Sequence, residues 1–146
     1  MAFKYRYQKL LDLKISEESS KKLEIAQVSS KLAEEMNKLK EILDKKQNFL
    51  QEYRQKVSGT IDLPYTIDCS YFMRMIRDIQ RRQQQIIYSL ETELEGLRRE
   101  LLDIIKEKKK HEKLREKDYQ HYLYESSRIA EKLVDDLVSY KNAVKM

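Results

Sequence analysis

The apolar residues of this chain fall on two long stripes separated by one interruption. In the first half, Leu32, Met36, Leu39, Leu43, Lys46, Leu50, Tyr53 and Val57 follow alternating steps of four and three, with Lys46 the one polar member. In the second half, Phe72, Ile76, Ile79, Gln83, Ile86 and Leu90 repeat the pattern. Leu94, Leu97, Leu101 and Ile104 carry it on after two consecutive steps of four. A mean spacing of about 3.5 residues marks helices that pair along a seam. A double step of four unwinds such a pair locally. Val28, Leu32 and Met36 make the same double step, at a matching distance from the interruption.

The interruption is Ser58-Gly59-Thr60-Ile61-Asp62-Leu63-Pro64. Gly59 can take a positive φ and close a helix. Pro64 disfavours helical geometry at Leu63. Thr66 or Asp68 can then cap a second helix by accepting bonds from its first N–H groups. The pattern predicts helix one over about 7–57, a loop over 58–67 and helix two over about 68–140, in a single coiled-coil domain of residues 1–146. Gly96 sits among strong helix formers and predicts no second break, at a cost of about 1 kcal/mol against alanine.

The expected fold class is all-α, with two long helices forming an antiparallel coiled-coil hairpin. Folding about the loop puts Tyr53 near Phe72, Leu43 near Gln83 and Met36 near Leu90. Helix one then runs out near Tyr122. The remaining tail keeps Ile129, Leu133, Leu137 and Tyr140 on one stripe with no partner from the chain. An isolated helix end is marginal in water, so this tail calls for one.

Composition narrows the choice further. The 146 residues include two glycines, one proline and no tryptophan. So few breakers cannot supply the turns of a sandwich, a barrel or an α/β fold. At 38% charged residues, there is enough apolar material for a seam and too little for a thick centre. Thirty basic and 25 acidic residues give a net charge of +5, with both signs interleaved. Interleaving of this kind reads as a solvated helical surface. The basic excess also suits an acidic partner or, at most, peripheral contact with an anionic membrane. Cys69 is the only cysteine, which excludes an intramolecular disulfide and fits a reducing compartment. There are nowhere 18 consecutive apolar residues to span a bilayer.

Candidate chemistry is sparse. His111 and His121 stand ten residues apart, not on one helical face, and Cys69 is far from both. No zinc-binding spacing and no phosphate-cradling glycine loop is present. The many carboxylates have no concave, dry pocket to shift their pKa values in a two-helix fold. The expectation is a non-enzyme with no catalytic residue, metal or cofactor. Acidic residues interrupt the basic run from Lys106 to Lys117, and no base-stacking platform accompanies it, so nucleic acid is not expected as a partner.

Three stretches exceed what one seam needs. Phe3, Tyr5, Tyr7, Leu10, Leu11, Leu13 and Ile15 crowd the start of the chain, as a frayed end, as contacts with helix two or as a docking end. Ile42, Phe49, Tyr71, Met73 and Met75 add apolar groups near the loop, and exposed patches of that sort mark partner sites. Lys106, Lys108, Lys109, Lys110, Lys113, Arg115 and Lys117 form a basic collar, either solvated or a dock for acidic groups.

Order and spacing add a resemblance along the whole chain. Phe3-Lys4-Tyr5-Arg6-Tyr7-Gln8-Lys9-Leu10-Leu11-Asp12-Leu13-Lys14 resembles the opening of the flagellar export FliJ family. Lys113-Leu114-Arg115-Glu116-Lys117-Asp118-Tyr119 resembles that family's second block. Glu131-Lys132-Leu133-Val134-Asp135-Asp136 resembles its C-terminal acidic patch. The stalk proteins of injectisomes look similar.

The resemblance implies a cytoplasmic component of the flagellar type III protein export apparatus, at the cytoplasmic face of the inner membrane. It implies a hairpin like a rotary-ATPase stalk, which binds the hexameric flagellar export ATPase, promotes ring assembly and contacts the cytoplasmic domain of the export gate. Handling of export chaperones is implied as well. The gate-facing group would fall on Ile42, Phe49, Tyr53, Phe72, Ile76, Ile79 and Gln83. Of these, Tyr53, Phe72, Ile76 and Ile79 lie on the stripe assigned above to the seam. The family's polar and aromatic residues differ here at Ile42 and Lys46. The terminal end, with Phe3, Tyr5, Tyr7, Leu10, Leu13, Leu133 and Leu137, would enter the ATPase ring, leaving the loop end toward the gate. A self-associating coiled-coil scaffold is the competing reading.

Overall fold

A computed structural model describes residues 2–59 and 62–145. Thr60 and Ile61, part of the predicted loop, lie outside the described residues, as do Met1 and Met146. Two helices, α1 (Gln8–Val57, 50 residues) and α2 (Leu63–Val144, 82 residues), make up nearly all of it. They pack against each other as an antiparallel hairpin, as the stripes predict. No described residue is in a strand. Helix α2 runs through Gly96 without a break. The hairpin divides into two units, residues 1–20 with 101–146, and residues 21–100.

In the unit of residues 21–100, the seam alternates steps of four and three, strictly on α1 and with one double step of four on α2. On α1 the less exposed positions are Lys21, Ile25, Val28, Leu32, Glu35, Leu39, Ile42, Lys46, Phe49 and Tyr53. Helix α2 answers with Cys69, Phe72, Ile76, Gln80, Gln83, Ile87, Leu90, Leu94 and Leu97. Leu32, Ile87, Leu90 and Leu94 form the core, with Ile25, Val28 and Leu39 against them. No described side chain anywhere is fully buried, so the core is a line between helices and not a centre.

This seam corrects the predicted one. Met36, Leu43, Ile79 and Ile86 are 40–45% exposed. Glu35, Ile42, Gln80 and Ile87 take their places. The double steps of four predicted at Leu32 and Leu90 are absent, and one occurs instead at Phe72-Ile76-Gln80. The pairing register moves too. Gln83 meets Glu35 and not Leu43, and Phe72 meets Phe49 and not Tyr53.

The cause lies at the loop. Helix α2 starts at Leu63, more than a turn before Asp68. Proline in a first helical turn loses no intrahelical bond, so Pro64 is accommodated there. The Asp62 carbonyl accepts the Thr66 N–H and hydroxyl, each at 3.0 Å. The helix thus begins ahead of both predicted caps. A shorter loop sets each residue of α1 opposite an earlier residue of α2 than predicted. Gly59 has no positive φ, contrary to its predicted role. The Ser58 hydroxyl instead donates to the Gln55 carbonyl at 2.8 Å and ties off the end of α1.

In the unit of residues 1–20 with 101–146, the same alternation runs through Leu11, Lys14 and Glu18. They face Leu101, Ile104, Lys108 and His111 of α2. Ahead of α1, the segment to Tyr7 lies on α2. The Phe3 ring packs 5.2 Å from Tyr119 and 5.5 Å from Tyr122. Tyr5 is buried, its hydroxyl 3.3 Å from His111 Nδ1. From residue 126 to 145, every position of the chain is exposed.

Candidate partner-binding site

Polar rungs cross the seam where an apolar-only reading leaves gaps. Lys14 Nζ pairs with Glu107 at 2.6 Å, and Lys21 Nζ with Glu100 at 2.7 Å. Lys108 Nζ reaches Glu18 at 2.7 Å. Gln83 donates its amide to the Glu35 backbone carbonyl at 2.9 Å and also to the Glu35 carboxylate. Lys46 Nζ donates to Gln80 Oε1 at 3.4 Å. The long stems lie over the seam while their charged heads stay at its wet edge. Lys14, Lys21 and Lys108 are held above their usual pKa, first by the hydrogen bond of each to its facing carboxylate. Glu107 is held below its usual pKa by Lys14, and Glu35 by the Gln83 amide and then Lys38. These groups fasten helix to helix.

The loop end gathers aromatic rings. Phe49 and Phe72 lie 4.3 Å apart, and Tyr53 stacks on Tyr65 at 6.3 Å. Lys56 Nζ stands 5.1 Å over the Tyr65 ring. An open groove of about 460 Å³ follows, lined by Leu50, Tyr53, Cys69, Met73 and Arg77 among others. Of the seven gate-facing candidates, Ile42, Phe49, Tyr53 and Phe72 are half-buried and keep an edge toward solvent. Ile79 is more exposed. Ile76 and Gln83 are buried between the helices. Five of the seven are therefore reachable from outside. Tyr65 joins the cluster unforeseen, because it fell in the predicted loop. Its signal was present, since Tyr65, Cys69, Phe72 and Ile76 continue the stripe by one turn.

The terminal end splits the other candidates in two. Phe3 and Tyr5 pack on α2, the helix-two contact among the readings of that stretch. Tyr7, Leu10 and Leu13 point outward, 43–51% exposed. Leu133 and Leu137, near 60% exposed, lie on the tail of α2 with Ile129, Val134 and Tyr140. Together the tail residues make an exposed apolar helix face. In the basic collar, Lys108 is engaged with Glu18, while Lys106, Lys109, Lys110, Lys113, Arg115 and Lys117 are exposed.

Among the described residues, no group of His, Cys, Asp and Glu is placed to hold a metal ion. None of the described helices is long and apolar enough to cross a membrane. Exposed apolar side chains gather near the loop and along the tail of α2.

Comparison with known proteins agrees with the resemblance. A family model described as "Flagellar FliJ protein" matches residues 3–146. The flagellar FliJ protein of Bacillus subtilis (strain 168) is 26% identical over 137 residues, covering 94% of this chain and 93% of that protein. No solved structure matches.

Proposed function

The chain belongs to the flagellar FliJ family, and on that premise we propose that its hairpin is a non-catalytic stalk joining the hexameric export ATPase to the export gate. Membership makes it a component of the flagellar export apparatus. The finer reading rests on one observation. Helix α2 continues for about twenty residues past its last half-buried position, Glu125, and carries an apolar face along them. An unsupported helix of that length is marginal, and burying such a face against a partner stabilises it. The tail, with Leu133 and Leu137, is therefore the segment that enters the ATPase ring, beside Tyr7, Leu10 and Leu13. Phe3 and Tyr5 act indirectly, by fastening the start of the chain to α2.

The loop end faces the cytoplasmic domain of the gate. Phe49, Tyr53 and Phe72 supply rigid aromatic area at little entropic cost, with Ile42 and Ile79 beside them. Ile76 and Gln83 support this group from within the seam. Export chaperones are further partners, and the location is cytoplasmic, peripheral to the inner membrane through the apparatus. An asymmetric hairpin inside a six-fold ring meets each subunit differently, so it biases nucleotide states in turn and carries strain to the gate.

Binding to the purified export ATPase tests this. Leu133→Ser with Leu137→Ser should weaken binding by a factor on the order of ten or more, as for central anchors of an interface. Phe49→Ala with Phe72→Ala should weaken gate binding and spare the ATPase. Unchanged ATPase binding by the tail variant overturns the assignment of the tail. Crosslinks from the ring to residues near Gly59, with none near the termini, reverse the polarity. A stable dimer in sedimentation, insensitive to added ATPase, favours the scaffold reading instead.

A further inference from the structure

The seam in residues 21–100 leaves an apolar stripe unused on each helix. Met36 and Leu43 stand one position past Glu35 and Ile42 on α1. Ile79 and Ile86 stand one position before Gln80 and Ile87 on α2. All four are exposed, while two of the residues that displace them, Glu35 and Gln80, are polar. This is unusual economy for a coiled coil, whose stability lies in apolar residues at the seam.

We propose that this part of the hairpin has a second seam register, displaced by about half a heptad, in which Met36, Leu43, Ile79 and Ile86 turn inward. Leu32, Leu39, Lys46 and Tyr53 belong to both seams on α1, as Ile76, Gln83 and Leu90 do on α2. Each helix needs only a roll of about 50° and a slide of about 6 Å, one turn of helix. Met36 then meets Leu90, and Leu43 meets Gln83.

Two separate features support it. The start of α2 is ambiguous in its capping, since Asp62 precedes the observed first turn and Thr66 and Asp68 follow one turn later. Unwinding Leu63–Ile67 lengthens the loop by the amount the slide requires. The observed register, for its part, is held by polar bonds that the slide breaks. In residues 21–100 these are Lys21 to Glu100 and Gln83 to Glu35. More apolar burial on one side thus stands against more polar bonding on the other. Packed elements with two discrete arrangements of this kind switch by a turn and do not deform continuously.

Cysteine pairs in the full chain, with Cys69→Ser, distinguish the registers, because a disulfide needs its Cα atoms within about 7 Å. Leu32→Cys with Leu90→Cys reports the observed register. Met36→Cys with Leu90→Cys reports the displaced one. Both pairs should close under mild oxidation, the first with helicity unchanged and the second with a loss no larger than the share of Leu63–Ile67. Lys21→Ala should speed closure of the second pair several-fold. Leu43→Ser with Ile79→Ser and Ile86→Ser, all exposed in the observed register, should slow it several-fold and leave the first pair unaffected. The proposal is overturned if the second pair stays open with Lys21→Ala while the first closes. It is equally overturned if the three serines do not slow the second pair, since closure then reflects fraying.

Discussion

Identical side chains do different things along this chain, and exposure sorts them. Leu90 is 6% exposed in the core line, whereas Leu137 is 62% exposed on the tail. Leu90→Ala should lower hairpin stability by about 2 kcal/mol, from lost transfer energy and an incompletely relaxed cavity. Leu137→Ala should stay within about 0.5 kcal/mol. Urea titrations followed by circular dichroism measure both. The charged rungs predict a pH response. Glu107 and Glu35 have folded pKa values below their ordinary value of 4.5. Their contribution is full above that value and is lost as pH falls through the lower folded pKa. Lys14 and Lys21 have folded values above 10.5, so theirs is full below it and lost as pH rises further. The melting temperature should therefore decline at both extremes. Glu107→Gln should flatten the acid limb, which thermal melts from pH 3 to pH 7 would reveal. An acid limb identical to that of the unaltered chain would show that this ion pair is fully screened.

Helices of 50 and 82 residues need few special residues, and the breakers show which ones matter. Pro64 sits in the first turn of α2, where its missing N–H is harmless. Gly96 lies inside α2 with nothing within 4 Å of where a Cβ would sit, and its φ is not positive. It has the entropic cost of glycine without using its freedom. Gly96→Ala should raise stability by about 0.5–1 kcal/mol, readable as a higher midpoint in urea. A loss would mean that the position serves a partner's close approach.

For the molecule as a whole, the division of labour is between a paired stretch and an unpaired one. Truncation after Glu125 removes a stretch whose positions from 126 to 145 are all exposed. The helical signal should fall by roughly the share of those twenty residues, and the unfolding midpoint of the rest should hold within about 0.5 kcal/mol. The same truncation should abolish ATPase binding. Retained binding would move the site to Tyr7, Leu10 and Leu13.

Most of the fold was legible before any coordinates. Periodicity, scarce breakers and one Gly/Pro interruption dictated two helices and their antiparallel pairing. Chain length on either side of that interruption dictated the unpaired tail. These follow from local propensity and from counting, which a linear text carries in full. The choice among neighbouring stripes was decided only in three dimensions. Met36 and Leu43 look better suited to a seam than Glu35 and Ile42 when apolar character alone is weighed. The start of α2 at Leu63, and partners such as Gln83 for Glu35 and Glu100 for Lys21, select the other stripe. Those bonds join residues far apart in the chain. A polar residue whose partner lies a whole helix away reads, in sequence, as one more solvated charge.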